Sequence, residues 1–256
     1  MSDAGIATVA VILAGGKGTR LQSDVPKALL PLCGRPLVSH VIEAARGAGV
    51  DRVLLVVGHA AEQVMQAVGP ECTCALQERQ LGSAHALMSC ADALAGYQGT
   101  VLVLYCDVPL LGTHPLRDLI ARHRATGAAA TLLSVVLDDP AAYGRILRGP
   151  DGRVLGIIEA KDATPEQRAI REINVGVYCF EAPLVFEILK EVRPDNVKGE
   201  YYLTDAIGLL AARGHRVEAL ITTDTEAIAG VNTLEELAAV ERTLRRRKGE
   251  ADPCKR

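Results

Sequence analysis

The sequence has no tryptophan and few aromatic residues of any kind, which make up 3% of its 256 residues. Proteins that bind nucleic acid use aromatic side chains for base stacking or a strongly basic surface that neutralises phosphates. This chain has 28 lysine and arginine residues against 31 aspartate and glutamate residues, so its net charge is −3. The composition therefore argues against a nucleic-acid partner.

Long apolar runs and paired cysteines are missing as well. No apolar stretch reaches the roughly 20 residues of a transmembrane helix, and residues 1–5 do not resemble the start of a signal peptide. The seven cysteines are scattered, without a Cys-x-x-Cys pair, as is usual in a reducing compartment. We therefore expect a cytoplasmic protein without a membrane partner, and its apolar content of 49% is ample for a core.

What the sequence does contain is a buried-strand pattern followed at once by a glycine-rich, cationic loop. Residues 8–13 are almost wholly apolar, as a parallel strand covered on both faces requires. Three glycines and three cations follow: Gly15, Gly16 and Gly18, with Lys17, Arg20 and Lys27. Glycines let backbone N–H groups approach a polyphosphate closely, and the cations neutralise its charge. The stretch predicts a nucleoside triphosphate site at the carboxyl edge of a sheet.

Two better-known glycine loops do not fit the spacing. The dinucleotide fingerprint needs a small residue where Leu21 stands, and an acid after the second strand, where this chain has Gly58. The P-loop needs Ser or Thr directly after its lysine, whereas Gly18 follows Lys17. An ordinary strand-to-helix turn is the remaining alternative, and the flanking cations argue against it.

A second buried-strand pattern, residues 101–105, leads into Asp107. Its carboxylate would lie at the same sheet edge as the glycine loop. Mg²⁺ prefers oxygen ligands and takes only one or two of them from protein when it also binds a substrate phosphate. Asp107 is therefore a candidate magnesium ligand, the alternative being an aspartate that only caps the turn into residues 108–109.

The pattern along the chain is that of an α/β protein. Predicted strands alternate with helix-length segments and lie at residues 8–13, 52–57, 101–105, 130–137, 153–158, 173–180 and 216–221. The turn sequence at 149–152 joins 145–148 to 153–158 and predicts an antiparallel hairpin. We expect a Rossmann-like, doubly wound, mostly parallel mixed sheet with an inserted hairpin lobe, as one domain over 1–248 with a flexible tail at 249–256.

Several short blocks of sequence lie at 13–21, 24–27, 76–82, 105–110, 143–146, 159–163, 172–176, 199–205 and 230–232. In their residues and in their order, these blocks resemble the uridyltransferase domain of bacterial bifunctional N-acetylglucosamine-1-phosphate uridyltransferase/glucosamine-1-phosphate acetyltransferase. The resemblance implies a fold of the nucleotide-diphospho-sugar transferase type. No hexapeptide repeat of a left-handed β-helix is present in the chain, so we expect no acetyltransferase domain.

The resemblance also implies roles for individual residues. It assigns catalysis to Arg20 and Lys27, and a shared Mg²⁺ to Asp107 and Asn232. It assigns nucleotide binding to Leu13, Ala14, Gly15, Gly16, Lys17, Gly18, Gln77, Gln80, Gly82 and Ser83, with Gln77 reading the uracil edge. It assigns the sugar phosphate to Tyr105, Gly144, Glu159, Lys161, Asn174, Tyr202 and Thr204.

The implied reaction is Mg²⁺-dependent transfer from UTP to N-acetylglucosamine 1-phosphate, giving UDP-N-acetylglucosamine and pyrophosphate. The sugar phosphate oxygen is already ionised, so no general base is needed. Two departures from the family pattern, Cys106 in place of a common glycine and Ser83-Ala84 in place of Thr-Gly, bear on nucleotide preference. The alternatives are a related enzyme that uses dTTP or UTP with glucose or galactosamine phosphate, and a non-catalytic nucleotide-sugar sensor. The sequence leaves the oligomeric state open, a homo-oligomer included.

Overall fold

The computed structural model describes residues 7–21 and 23–249. Its strands are β1 (Thr8–Leu13), β2 (Pro31–Leu32), β3 (Arg35–Pro36), β4 (Arg52–Val57), β5 (Thr73–Leu76), β6 (Thr100–Tyr105), β7 (Ala130–Val136), β8 (Arg145–Arg148), β9 (Val154–Ile158), β10 (Glu172–Glu181) and β11 (Val217–Thr222). Its α-helices are α1 (Leu37–Gly47), α2 (Ala61–Val68), α3 (Ser83–Met88), α4 (Thr113–Thr126), α5 (Pro165–Arg168), α6 (Ala182–Leu189), α7 (Leu203–Ala212) and α8 (Leu234–Arg247). The expectations for residues 1–5 and, apart from Gly249, for the tail at 249–256 lie outside the described residues.

The main sheet has the strand order β11-β7-β10-β6-β1-β4-β5, with β8 and β9 attached as a hairpin through β10. Its pairs are parallel except those of β10, which runs antiparallel to β6, β7 and β8, and the β8–β9 hairpin itself. The expected mostly parallel mixed sheet with an antiparallel hairpin is therefore confirmed. In the central pairs Leu13 stands opposite both Val56 and Tyr105, so β1, β4 and β6 end nearly level.

Successive side chains of the central strands point to opposite faces of the sheet, and both faces are buried. In β1, Val9 and Val11 point into a core shared with α3, α6 and α7. The intervening Ala10 and Ile12 point into a second core, which α1 and α4 complete. Because both faces are buried, the strand reads as a continuous apolar run. The layered helix–sheet–helix arrangement leaves the strand ends as the place for a site.

Every predicted strand is present, with its ends displaced by no more than one residue. Two features were not predicted. The edge strand β5 is short and leaves Leu76 55% exposed, so it lacks the apolar run by which buried strands are identified. The β2–β3 hairpin has only two residues in each strand, too few for any periodicity. Within the described residues, no helix combines the length and the apolar character needed to span a bilayer.

Candidate active site

A cavity of about 530 Å³ lies at the carboxyl ends of β1 and β6. The predicted residues that line it are Leu13, Gly15, Gly16, Lys17, Gly18, Arg20, Lys27, Gln77, Gln80, Gly82, Ser83, Tyr105, Asp107, Glu159, Tyr202 and Asn232. The level strand ends bring the glycine-rich loop after β1 and the turn after β6 to the same edge. The cavity therefore collects residues that are up to about two hundred positions apart in the sequence.

Two cations and two oxygen-bearing side chains form a compact cluster on one wall of this cavity. The Nζ atom of Lys27 lies 2.5 Å from Oδ2 of Asp107 and 3.1 Å from Oδ1 of Asn232. Arg20 donates a hydrogen bond of 2.9 Å to the same Asn232 oxygen. The Lys27 and Asp107 side chains are 12% and 24% exposed, so their charges are only partly screened by water. The cluster concentrates positive charge beside the glycine-rich loop.

Local backbone structure places these side chains. Lys27 opens a short 3₁₀ turn after Pro26. Asp107 follows β6, and its carbonyl accepts a hydrogen bond from the N–H of Val231 at 2.9 Å. That bond holds the segment before α8 against the sheet edge. Asn232 is fixed in turn because its N–H donates to Glu236, 2.5 Å away, in the first turn of α8.

The oxygens of Asp107 and Asn232 suit a hard divalent cation. Both lie within hydrogen-bond distance of one atom, Nζ of Lys27, so they converge on a common point. A carboxylate and an amide oxygen are ligands that Mg²⁺ accepts, and two protein ligands are usual where phosphate oxygens and water complete the shell. Among the described residues, no three His, Cys, Asp or Glu side chains form a group that could hold a metal ion. The donor set therefore fits Mg²⁺ that is shared with a phosphate ligand.

A second group of lining residues is built around Gln77, which is only 4% exposed. Its Nε2 donates to the carbonyl of Gly82 at 3.1 Å, and its backbone carbonyl accepts from the side chain of Gln80 at 3.0 Å. A Cβ on Gly15 would lie 3.0 Å from Oε1 of Gln77, so the glycine loop passes directly over this amide. The loop and Gln77 thus form one continuous wall.

Gly82 is a position at which only glycine fits. Its φ is +122°, a region that other residues rarely adopt. A Cβ there would lie 2.4 Å from the carbonyl oxygen of Tyr201. This close approach arises because hydrogen bonds tie the backbone of Tyr201 to Leu81 and to Ala84, on either side of the glycine. The segment before α7 can therefore pack this closely against residue 82 only because that residue is glycine.

We expect Gly82→Ala to lower the free energy of unfolding by about 2 kcal/mol or more, since a strained backbone and a steric clash both contribute. Gly96→Ala is the matched control, because Gly96 also has a positive φ of +72° but a Cβ there would meet no atom within 4 Å. It should lose only about 1 kcal/mol. Urea denaturation followed by circular dichroism measures both. Equal losses in the two variants would contradict the packing argument.

A third group of residues lies where β9 ends. Thr204 donates a 3.3 Å hydrogen bond to Oε1 of Glu159, and a Cβ on Gly144 would lie 3.5 Å from the same oxygen. Burial raises the pKa of Glu159. Burial, followed by repulsion from Glu159 and Asp162, raises the pKa of Asp205 to about 6. Of these residues only Glu159 lines the cavity, so its carboxyl group is the one that this cluster presents to a ligand.

Five predicted residues do not line the cavity: Ala14, Gly144, Lys161, Asn174 and Thr204. Gly144 and Thr204 stand behind Glu159, and Ala14 is buried beneath the loop. Asn174 uses its amide inside the protein, donating to the Tyr178 hydroxyl at 2.7 Å and accepting from the N–H of Gly176 at 3.1 Å. Lys161 is exposed to solvent.

Two charged lining residues, Lys198 and Glu200, were not predicted as site residues. They flank Gly199 in the irregular segment before α7, where no periodicity marks which side chains face inward. The Nζ atom of Lys198 lies 5.8 Å from the centre of the Tyr202 ring, within the range of a cation–π contact. The signal available in the sequence was their position, since Lys198 directly precedes the block at 199–205 and Glu200 lies within it. Cys106 also lines the cavity, and burial raises the pKa of its thiol to about 12, so it stays neutral.

The geometry agrees with a comparison to known families. The MobA-like NTP transferase domain matches residues 10–161. The chain belongs to this family. Lys27, Gln77 and Asp107 lie within the residues that match the MobA-like NTP transferase domain, whereas Tyr202 and Asn232 lie beyond them. The nucleotidyltransferase relationship inferred from the sequence blocks is therefore confirmed.

Individual relatives match beyond the MobA-like NTP transferase domain. The chain is 47% identical over 238 residues to the bifunctional protein GlmU of Pelotomaculum thermopropionicum, covering 93% of this chain and 52% of that protein. It is 48% identical over 240 residues to the bifunctional protein GlmU of Geobacter metallireducens, covering 93% of this chain and 50% of that protein. The chain spans about half the length of the curated relatives it matches.

Proposed function

We propose that this chain catalyses Mg²⁺-dependent transfer of a uridylyl group from UTP to N-acetylglucosamine 1-phosphate, forming UDP-N-acetylglucosamine and pyrophosphate. One observation carries the proposal: a single cavity joins the glycine-rich loop, the Lys27–Asp107–Asn232–Arg20 cluster, Gln77 and Glu159. Membership of the MobA-like NTP transferase family and similarity to the bifunctional GlmU proteins support it. Acetyl transfer is not part of this proposal, which concerns only the half of those relatives that the chain matches.

The chemistry needs positioning and charge neutralisation more than proton transfer. The sugar phosphate oxygen is ionised at neutral pH and attacks the α-phosphorus of the nucleotide in line, while pyrophosphate leaves. Within the cluster, Lys27 and Arg20 supply positive charge where charge develops on the phosphates. Gly15, Gly16 and Gly18 leave room for the phosphate chain to approach the backbone. No general base is required from the chain.

Asp107 and Asn232 are the residues that would hold Mg²⁺. When bound there, the ion neutralises phosphate charge and helps to hold the nucleotide in the orientation for displacement. The remaining polar groups suit the sugar: the carboxylate of Glu159 accepts hydrogen bonds from hydroxyl or amide N–H groups, and Lys198 contributes a positive charge to the same cavity. In this proposal the glycine-rich loop and the Lys27 cluster bind the nucleotide phosphates, and Glu159 and Lys198 bind the sugar phosphate.

A substrate panel tests the proposal. The protein is incubated with UTP, dTTP, CTP or GTP and with the 1-phosphates of N-acetylglucosamine, glucose or galactosamine, and pyrophosphate release is measured. UTP with N-acetylglucosamine 1-phosphate should give the highest kcat/KM. A preference for dTTP or for glucose 1-phosphate would assign a related nucleotidyltransferase activity instead. Binding of UDP-N-acetylglucosamine without any pyrophosphate release would identify a sensor. Cytoplasmic location and a single domain remain predictions from the sequence.

A further inference from the structure

The hydrogen bonds of Gln77 determine which of its two amide atoms faces the cavity. Nε2 lies 3.1 Å from the carbonyl oxygen of Gly82 and 3.2 Å from Nδ1 of His85, on helix α3. A carbonyl oxygen can only accept a hydrogen bond, so the NH₂ group of Gln77 must face Gly82. An amide NH₂ group has two hydrogens, and these two contacts use both of them. Oε1 is then the atom available to a ligand.

The same reasoning fixes the tautomer of His85. Because Nε2 of Gln77 donates to Nδ1, that ring nitrogen must be the unprotonated acceptor, and the imidazole proton must be on the other nitrogen. If Nδ1 carried the proton, it would be a donor facing the NH₂ group of Gln77, which is also a donor. If the amide were rotated to avoid this, Oε1 would face the Gly82 carbonyl, and two acceptors would be in contact. Only one combination of tautomer and amide orientation satisfies Gly82, Gln77 and His85 together.

We infer that His85 is a positioning residue that holds Gln77 as a hydrogen-bond acceptor toward the base and thereby favours uridine over cytidine nucleotides. The inference rests on the proposed function, in which Gln77 reads the uracil edge. Uracil carries a hydrogen on N3 and can donate it to Oε1. Cytosine has a lone pair at N3, which would meet the lone pairs of Oε1 in a buried place, and such a mismatch is unfavourable.

Calorimetric titration of UTP and of CTP, with Mg²⁺ and without a sugar phosphate, tests this role. Replacing the imidazole in His85→Leu removes the acceptor and frees the amide to rotate. We expect UTP affinity to fall about tenfold, as when one buried hydrogen bond loses its partner, while CTP affinity falls less or rises. KM for UTP should rise, with KM for the sugar phosphate unchanged. A merely structural role would weaken both nucleotides alike.

Two further variants serve as rescue and control. His85→Asn places an amide oxygen close to the position of Nδ1 and should restore most of the UTP preference. His114→Leu changes an exposed histidine at the start of α4 that does not line the cavity, and this variant should bind both nucleotides as the wild type does. An unchanged UTP/CTP ratio in His85→Leu, or an equal loss for both nucleotides, overturns the role of His85.

A measurement on the wild-type protein does not depend on any variant folding correctly. Long-range ¹H–¹⁵N correlation spectra of the histidine rings should show His85 with a protonated Nε2 and an unprotonated Nδ1. The opposite tautomer would overturn the inference. Failure of the proposed function looks different: a wild-type protein that does not prefer UTP over CTP overturns uridine specificity itself, and with it this inference.

Discussion

Lys27→Met should lower kcat for pyrophosphate release by about 100-fold or more, the loss typical of removing one charged contact that acts in the transition state. Lys27 lies at the centre of the cluster, touching both Asp107 and Asn232 beside the glycine-rich loop. Methionine keeps most of the unbranched stem, and the Lys27 stem is the part that packs against Gly18. The substitution therefore removes the charge with little loss of packing.

Lys190→Met is the matched control for the loss of one positive charge. Lys190 is exposed at the end of α6 and does not line the cavity. The two variants lose the same formal charge, so any general effect on solubility or on attraction of anionic substrates appears in both. Initial rates with saturating UTP and sugar phosphate should show near-normal turnover for Lys190→Met but not for Lys27→Met. Near-normal turnover in Lys27→Met would remove the central assumption of the mechanism.

Asp107→Asn should also lower kcat by about 100-fold or more, and it should raise the Mg²⁺ concentration that gives half the maximal rate. The substitution preserves shape and keeps one oxygen that can accept a hydrogen bond from Lys27. It removes the negative charge, which matters for a divalent cation because Asn232, the other ligand in our proposal, is neutral. The rate is measured as a function of Mg²⁺ concentration at fixed UTP.

Asp118→Asn is the matched control, because Asp118 is exposed on α4 and does not line the cavity. Urea denaturation of both variants distinguishes a catalytic role from a structural one. If the Lys27–Asp107 ion pair matters only for stability, Asp107→Asn will unfold at lower urea concentration but keep its kcat and its Mg²⁺ dependence. That outcome would show that Asp107 is not the metal ligand.

The two sites of substitution are in direct contact, so their effects should not add. The double variant Lys27→Met/Asp107→Asn should lose less activity than the product of the two single losses, as is usual for residues that act as a unit. Additive losses would mean that Lys27 and Asp107 act on the substrates independently. The double variant also removes the ion pair between Lys27 and Asp107, whose side chains are mostly buried. Its urea unfolding curve therefore shows how much stability is lost when the whole pair is removed, and the curves of the single variants are compared with it.

Local sequence patterns predicted the sheet well because its central strands are covered on both faces. Residues 8–13 and 52–57 coincide with β1 and β4, since a strand buried on both sides must be apolar throughout. The glycine-rich loop was placed correctly for a related reason, as it follows directly from the end of β1. The edge strand β5 escaped notice because an exposed edge needs no continuous apolar run.

Local sequence patterns were enough to predict the fold class, the position of the glycine-rich loop and the residue types that we propose for phosphate and metal binding. Tertiary structure decided what each side chain contacts: Asn174 turns its amide toward Tyr178, Lys161 faces solvent, and Lys198 joins the cavity. The reason is physical. Hydrophobic periodicity depends on neighbours along one element, whereas the direction and partners of a polar side chain depend on atoms contributed by segments far away in the chain.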